Sequence, residues 1–504
     1  MADEADHDDL HEEGDDVMID MDDAEEIVEN DEDAAMDSGD EDAHEEIQLH
    51  NDSVAHFDQH KDSIFCIAQH PTKPDLVATG GGDDIAYVFD TTPPARPLLP
   101  RSYETTPQPR ERKGQEVEGK LEAQDESVNA ICFTLPQGQY IVTGTLAGTV
   151  NAYTTPDAST AAQLVGSAKE VDEINWVVPC PNAAYPNTVA LGAKDGSVWV
   201  YSINASDIAS PLTIVQTFFL HQAPCTAGAW GPDGKLLATV AEDSSLYVWD
   251  VFGEAAAVGL ADPSGGQAIF GLSSADERFN VDGGLYSVAI SPGGGIVAVG
   301  GAEGQIRIVG LPRLSLTANA TKGAKGGGAA SKTGGGKQAG GSKSASSAVP
   351  ASAGQAGQIL ASLQAQSDGI ETLDFSQPPL TLLAAGSVDG SIALFDAAHN
   401  FAVRRHIREA HDEEAVIKVE FVKTPLGTPN PSNYVLTSCG NDGVLRRWDV
   451  RGGTAAGAKG LIGEWKGHRG GGEGGGILGF VQGGGGKRMI TAGDDGISLV
   501  FEAT

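Results

Sequence analysis

Short apolar runs alternate with tight polar turns along most of the chain from residue 51 onwards. The stretch 239–250, Thr-Val-Ala-Glu-Asp-Ser-Ser-Leu-Tyr-Val-Trp-Asp, shows the pattern most clearly. An apolar run ends in small residues, an acid and a Ser or Gly turn the chain, and alternating residues then lead to an aromatic side chain. A period of two bounded by turn residues predicts a strand, a tight turn and a second strand.

This frame occurs eight times. Clear copies lie at 79–90, 239–250, 438–449 and 491–501, and weaker ones begin at residues 143, 191, 299 and 385. The turn acid falls at 83, 195, 243, 389, 442 and 495, with Glu at 303 and Ala at 147. Repeats of roughly 40–50 residues are typical of the four-stranded blades of a β-propeller. The chain is therefore predicted to be all-β, a closed propeller of eight four-stranded blades.

The two ends of the repeat region indicate how the ring closes. The last aromatic-ended strand finishes at the C-terminus, which leaves no residues for an outer strand in the final blade. A short β-like run, residues 53–57, precedes the first repeat. We predict that it supplies the missing strand, which would remove an exposed sheet edge.

Charge divides the chain into two parts. Residues 1–50 hold 24 of the 71 Asp and Glu and contain neither Lys nor Arg, and the formal net charge of the chain is -39. Such a block repels itself and buries little apolar area, so residues 1–46 are predicted to be a disordered acidic tail ahead of a propeller over 51–504. Within the tail, Ser38 precedes acids in the manner of an acidophilic kinase site. The charge disfavours nucleic acid as a direct partner and favours a basic protein.

Composition marks two insertions in the repeat region. Residues 91–120 are rich in Pro, Arg and Glu, and residues 312–358 are rich in Gly, Ala, Ser and Lys. Both are predicted to be flexible. The Lys-bearing insertion is either a solvated loop or a site for something acidic, including the tail.

Signals for catalysis or cofactor binding are missing from the sequence. The five Cys residues are scattered without a CxxC pair, which indicates buried free thiols in a reducing compartment such as the cytoplasm. There is no metalloprotease, nucleophile-elbow or phosphate-loop motif. No signal peptide or long apolar span is evident. We therefore expect a monomeric binding protein without enzyme activity, cofactor, metal or membrane association.

Acids recur in the loops that precede the first strand of each predicted blade. In a propeller these loops surround the mouth of the central channel, so their acids predict an acidic rim for a basic segment. Trp176 follows the densest cluster and is expected either to pack in the core or, less favoured, to stack on an arginine. The predicted partner-binding residues are Asp62, Asp125, Glu126, Glu170, Asp172, Glu173, Glu371, Glu413 and Glu414, with Asp282, Asp368 and Asp412 in the same loops.

The repeat resembles the WD repeat, and the resemblance covers about residues 51–504. In that family a His, the turn Asp, a Ser or Thr and the strand-end Trp form a buried hydrogen-bonded set that stabilises a blade. The resemblance implies the pairs His60 with Asp83, His221 with Asp243, His411 with Asp442, and His468 with Asp495. It also implies structural roles for Trp249 and Trp448, whereas Phe89, Phe395 and Phe501 occupy the Trp position in three other repeats.

Three stretches are similar to one WD-repeat subfamily: residues 60–83, Glu170-Val171-Asp172-Glu173-Ile174-Asn175-Trp176, and 490–502. That subfamily contains the fungal chaperone dedicated to the large-subunit ribosomal protein L-ten (universal name L-sixteen) and the angio-associated migratory cell protein. The resemblance implies capture of the basic N-terminal segment of a new ribosomal protein, either during or after its translation, and delivery to pre-large-subunit particles. An acidic histone chaperone or a ubiquitin-ligase substrate receptor remains the alternative.

Overall fold

Eight antiparallel sheets make up the folded part of the chain. The computed structural model describes residues 50–93, 112–157, 159–260, 268–314, 355–424, 433–452, 460–470 and 475–503. Seven of the sheets have four strands in sequential order from the inside outwards, and the eighth has five. The predicted acidic tail and most of both predicted insertions lie outside the described residues.

The blades follow the chain in order. Blade one contains Ile64–Gln69, Leu76–Gly81, Ala86–Asp90 and Val117–Leu121. Blade two contains Val128–Phe133, Tyr140–Thr145, Thr149–Thr154 and Leu164–Lys169. Blade three contains Ile174–Pro179, Thr188–Ala193, Val198–Ile203 and Leu212–Phe218. Blade four contains Cys225–Trp230, Leu236–Ala241, Leu246–Asp250 and Ala268–Leu272, with a helical turn at Glu254–Ala257.

The second half repeats this arrangement. Blade five contains Leu285–Ile290, Ile296–Gly301, Gln305–Gly310 and Ile359–Gln364, with a 3₁₀ turn at Ala302–Gly304. Blade six contains Ile370–Phe375, Leu382–Ser387, Ile392–Asp396 and Ala402–Ile407, with a 3₁₀ turn at Ala397–His399. Blade seven contains Val416–Phe421, Val435–Gly440, Leu445–Asp449 and Leu461–Trp465. The inner strands of blade eight are Ile477–Val481, Arg488–Gly493 and Ser498–Glu502.

The N-terminal run completes blade eight, as predicted. Strand Ala55–Phe57 pairs antiparallel with the last strand, with Ala55 opposite Val500 and Phe57 opposite Ser498. A two-residue strand, Lys113–Gly114, adds to its other side. Inner strands of successive blades contact one another all the way round, including blade eight with blade one. The ring of eight blades and its closure by residues 53–57 are therefore confirmed.

One part of the predicted insertion 91–120 belongs to the fold. Val117–Leu121 pairs with Ala86–Asp90 as the outer strand of blade one. Its Gly119 and Leu121 are buried, whereas Glu118 and Lys120 face solvent. Alternation over five residues is enough for an edge strand, but the surrounding charged residues hide it in the sequence. The flexible-insertion prediction was thus wrong for these residues.

Burial follows position within each blade. The second strands are almost fully buried, as in Leu76–Gly81 and Leu236–Ala241, because sheets pack on both of their faces. Apolar clusters then fill the spaces between neighbouring blades, for example between blades two and three and between blades seven and eight. Loops are left at two faces of the ring, and these carry the candidate function.

Candidate functional site

Three blades contain a buried set formed by an aspartate, a histidine and a hydroxyl. His60 contacts Asp83 at 2.9 Å and Thr79 Oγ1 at 3.0 Å. In blade seven, His411 lies 2.9 Å from Asp442 and 2.7 Å from Ser438 Oγ, and in blade eight His468 lies 3.0 Å from Asp495 and 2.7 Å from Thr491 Oγ1. Each set ties the loop before the inner strand to the turn between strands two and three.

Blade four uses the same residues with a different connection. His221 Nδ1 is 2.5 Å from Ser245 Oγ, and Ser245 in turn hydrogen-bonds Asp243, so a hydroxyl mediates the predicted histidine–aspartate pair. Trp249 donates its indole N–H to Thr239 at 2.8 Å, and Trp448 donates to Ser438 at 2.8 Å. Burial lowers the pKa of His221 to about 4. These groups are satisfied inside blades and are unavailable to a ligand.

Blade two replaces both the histidine and the turn acid. Gln124 accepts from Thr143 Oγ1 at 3.1 Å, and Asp125 accepts from Thr145 Oγ1 at 2.8 Å and Thr149 Oγ1 at 2.6 Å. Asp125 thus supplies, from the loop, the carboxylate that the turn lacks at Ala147. The sequence placed Asp125 with the partner-binding acids, whereas the structure gives its carboxylate hydrogen bonds within the blade. Gln366 similarly occupies the histidine place in blade six, donating to Ser391 O at 2.9 Å.

A β-bulge interrupts the inner strand of every blade just after its first residue. The pairing register shifts between Ile64 and Cys66 in blade one, and at the equivalent place in the other seven blades. Bulges redirect side chains, and here they do so at one mouth of the central channel. We call this side of the ring the upper face. It contains the channel mouth, the loops before the inner strands and the turns between strands two and three. The bulged residues are Phe65, Asn129, Asn175, Thr226, Tyr286, Glu371, Ile417 and Leu478.

Most of the predicted rim acids are on the upper face without a basic neighbour. Within the described residues, the ion pairs of the predicted set are Glu173 with Lys194 at 2.6 Å and Asp125 with Lys169 at 3.3 Å. In the same loops Asp412 lies 3.8 Å from Arg446. The predicted acids with no Lys or Arg of the described residues in ion-pair range are Asp62, Glu126, Glu170, Asp172, Glu371, Glu413 and Glu414.

An aromatic residue beside acids on the upper face was missed by the sequence reasoning. Tyr286 is the bulged residue of blade five, and its hydroxyl donates to Gly283 O. Burial raises its pKa, and Glu242 and Glu371 raise it further, which places both carboxylates near the hydroxyl. Burial, together with Asp368, also raises the pKa of Glu371. An aromatic side chain in an acidic environment suits a guanidinium or ammonium group. The sequence signal for this residue was an aromatic at the second position of an inner strand.

Trp176 is in the core, the favoured of the two sequence interpretations. It is 9% exposed and donates to Cys225 O at 3.1 Å. A Cβ on Gly192 or on Gly228 would approach its ring to 2.3 and 2.2 Å respectively, so both positions need glycine to admit the indole. Trp176 therefore packs in the core between blades three and four and is not available to a partner.

The described residues contain no group of three or more His, Cys, Asp or Glu with the geometry of a metal site. Burial raises the pKa of the Cys180 thiol to about 11 and that of Cys132 to about 12, which makes both poor nucleophiles. Across the same described ranges, no helix combines the length and the apolar character needed to cross a bilayer. The described part of the upper face presents exposed carboxylates and the side chain of Tyr286.

Comparisons with known proteins agree with this geometry. The family described as "WD domain, G-beta repeat" matches residues 51–90, 212–250 and 357–396. A crystal structure of Chaetomium thermophilum Sqt1, bound to the N-terminus of the ribosomal protein L10, superimposes with a TM-score of 0.73 and 48% identity, covering 90% of this chain and 100% of that one.

Two curated relatives extend the comparison. The ribosome assembly protein SQT1 of Saccharomyces cerevisiae is 30% identical over 292 residues, which is 56% of this chain and 59% of the yeast protein. The alignment thus spans less than two thirds of that relative. The human angio-associated migratory cell protein is 23% identical over 418 residues, 83% of this chain and 74% of its own length.

Proposed function

The chain belongs to the Sqt1 family of WD-repeat proteins, and from that membership and the upper face we propose that it is a dedicated chaperone of a large-subunit ribosomal protein. The Chaetomium relative was crystallised with the N-terminus of ribosomal protein L10. We propose that this chain binds the corresponding basic N-terminal segment of an L10-class protein and promotes its delivery to assembling large subunits.

The observation that supports this proposal is the set of upper-face acids that have no Lys or Arg of the described residues in ion-pair range. Unpaired carboxylates on neighbouring blades create a negative potential over the channel mouth. A ribosomal protein is rich in Arg and Lys because it must later bind RNA, and until then its positive charges need a counter-charge. The propeller offers carboxylates from several blades at once, so a segment lying across the mouth would meet more than one of them.

Chaperoning of this kind requires no catalytic step. The hydroxyls and imidazoles described above are hydrogen-bonded within blades, and four of the five thiols are buried, with Cys66 partly so. We propose that the protein is non-enzymatic, that it acts as a monomer, and that it works in the cytosol, where ribosomal proteins are made. Free, unpaired cysteines fit a reducing compartment.

Within the upper face, we propose that the blade-three loop contributes most. Glu170 and Asp172 are exposed there, and Glu173 is held by Lys194. Asp62, Glu126, Glu371, Glu413 and Glu414 would extend the contact over other blades, and Tyr286 with Glu242 would take one cationic side chain. Asp125 is expected to contribute through the field of its charge, since its oxygens already accept two hydroxyl bonds.

The test is charge reversal of the blade-three loop, with Glu170, Asp172 and Glu173 changed to Lys. Exposed pairs contribute about 0.2–1 kcal/mol each, so losing three and adding repulsion should weaken binding by roughly tenfold to a hundredfold. The dissociation constant for a synthetic L10-class N-terminal peptide would be measured over a range of salt concentrations. The loss should shrink as salt screens the charges.

A matched control reverses three exposed acids on the opposite face. Asp207, Asp233 and Glu116 lie in loops between strands one and two or three and four, away from the channel mouth of the upper face. This variant has the same net charge as the first and should bind nearly normally. If the blade-three variant folds and binds the peptide with the affinity and salt dependence of the control, the acidic-rim proposal is wrong.

A further inference from the structure

Three apolar residues lie together at the outer edge of blade three, and we call Trp199, Phe219 and Leu220 the blade-three patch. Phe219 is 61% exposed and Leu220 is 40% exposed. Both lie in the loop between the outer strand of blade three and the inner strand of blade four, which belongs to the upper face. Isolated exposed apolar side chains are ordinary, but adjacent ones supported by a tryptophan mark contact surfaces.

The patch is held in its exposed position by its neighbours in sequence. Phe218, just before it, is buried and stacks on Trp249 with ring centroids 4.2 Å apart. His221, just after it, is buried between Ser245 and Thr239. Since both flanking residues are fixed in the core, the two residues between them cannot turn inward. Their exposure is a consequence of the blade architecture and is present before any partner binds.

Trp199 also contacts the Phe219 ring and restricts its position. The two rings meet edge-on, with centroids 5.8 Å apart and planes at 86°. The indole N–H of Trp199 donates to Ser197 Oγ at 2.9 Å, and Ser197 donates to Asp195 at 2.5 Å. Asp195 is in the turn of blade three, so the patch is tied to the upper face. An apolar surface that is already rigid loses little entropy when a partner covers it.

The patch adjoins the acidic loop of the proposed binding site. Trp199 stacks on Tyr201, with centroids 6.4 Å apart. The backbone N–H of Lys194 donates to Glu173 O at 3.1 Å, which joins the acidic loop to the turn that carries Asp195 and Ser197. Lys194, beside Asp195, is neutralised by Glu173 at 2.6 Å. The charged groups of this loop and turn are therefore mostly acidic, and Lys194 is ion-paired.

An apolar patch with acidic surroundings restricts the kind of partner that can bind there. An acidic surround repels nucleic acid and anionic lipid, and an apolar patch gains nothing from a purely charged segment. We propose that the blade-three patch docks apolar side chains of the same basic ribosomal-protein segment, so that a hydrophobic anchor accompanies the charge pairing. This inference rests on the proposed function, because it assigns a second contact to the partner of the acidic rim.

The anchor and the acids differ in their response to salt. Charge pairing weakens as ions screen it, whereas burial of apolar surface is insensitive to moderate salt or slightly strengthened by it. A chaperone that used acids alone would release its client as ionic strength rises. With the anchor, part of the affinity remains at high salt, and this part belongs to the patch.

The experiment compares Phe219→Ser/Leu220→Ser with Ile208→Ser. Ile208 is 93% exposed, lies in a loop of the opposite face and controls for loss of an exposed apolar side chain. Binding of a synthetic L10-class N-terminal segment would be measured at about 0.05 M and about 0.5 M salt, where screening differs severalfold. We expect the patch variant to lose affinity about tenfold or more at both salt concentrations, and Ile208→Ser to bind as the unmodified protein does.

Each other result has a defined meaning. If the patch variant binds like the Ile208→Ser control, or if its loss vanishes at high salt, the anchor is refuted while the acidic rim stands. If the unmodified protein fails to bind the segment at either salt concentration, the proposed function and the anchor both fall. Should Phe219→Ser/Leu220→Ser prove unstable by its unfolding midpoint, Leu220→Ser alone, expected to lose severalfold, gives the same decision.

Discussion

Replacing Phe57 with alanine tests whether the N-terminal strand Ala55–Phe57 closes the ring. Phe57 is fully buried and stacks on Phe89, with centroids 4.1 Å apart and planes at 6°. It also meets Tyr87 edge-on at 5.6 Å. Its strand is only three residues long, so this side chain supplies much of what holds the N-terminal run against the last blade.

The expected cost follows from that burial. Removing a buried phenyl ring costs about 3–5 kcal/mol, because transfer energy is lost and a cavity remains. The backbone hydrogen bonds of the short strand should break without it, so the edge of blade eight should open as well. The matched control is His56→Ala, on the other face of the same strand and half-exposed, which should cost under about 1 kcal/mol.

Urea unfolding midpoints and limited proteolysis near residue 50 would measure both effects. Phe57→Ala should unfold at a clearly lower urea concentration and be cleaved faster than His56→Ala. Deleting residues 1–58 should resemble the Phe57 variant or be more severe, whereas deleting 1–45 should leave the midpoint unchanged. Equal midpoints for the two point variants would refute the claim that this strand closes the ring.

Three further outcomes are expected. Burial lowers the pKa of His221 to about 4, so between pH 6.5 and 4 the unfolded chain takes up a proton at this residue and the folded chain does not. The free energy of unfolding should therefore fall by about 3 kcal/mol as the pH is lowered through that range, and urea midpoints should fall less steeply for His221→Gln. Asp125→Asn should cost about 1–3 kcal/mol through its two hydroxyl bonds, against under about 0.5 for the exposed neighbour in Glu126→Gln, both by urea unfolding. Removing residues 1–46 should slow association with a basic peptide at low salt and leave dissociation unchanged, which stopped-flow mixing would show.

The eight blades could be predicted because their signal is local. A turn acid followed by alternating residues and an aromatic, as in 239–250, specifies a tight turn between two strands without any distant contact. Eight copies at blade-like spacing then leave few alternatives to a closed ring. The short run before the first copy could be predicted to pair with the last blade because its alternating β-like residues stand just ahead of the first repeat.

The site was predicted only in outline, because side-chain pairing depends on residues that are far apart in the sequence. The sequence places acids in the loops before the inner strands, but it does not show which of them find partners. Glu173 is neutralised by Lys194 from the turn of its own blade, 21 residues later. Asp125 reaches two threonines on strands two and three of blade two. Such pairings depend on how loops of different length fold over a blade.

The positions of the aromatic residues likewise depended on contacts that the sequence does not show. Trp176 beside an acidic cluster could have faced a partner or the core, and it is the absence of side chains on Gly192 and Gly228, brought together by blade packing, that gives it a place inside. Neither Tyr286 nor Phe219 was singled out from the sequence. A bulge turns Tyr286 to the channel mouth, and two buried neighbours hold Phe219 outside.

The sequence by itself determined the repeat, the number of blades, the closing strand and the excess of negative charge, because periodicity, turn chemistry and net charge act over a few residues or over the whole chain at once. Tertiary structure alone decided which carboxylates remain unpaired, which residue replaces the missing turn acid of blade two, and where an apolar patch adjoins the acidic loop. Those properties depend on distances between residues tens of positions apart, and only the packing of strands within and between blades sets those distances.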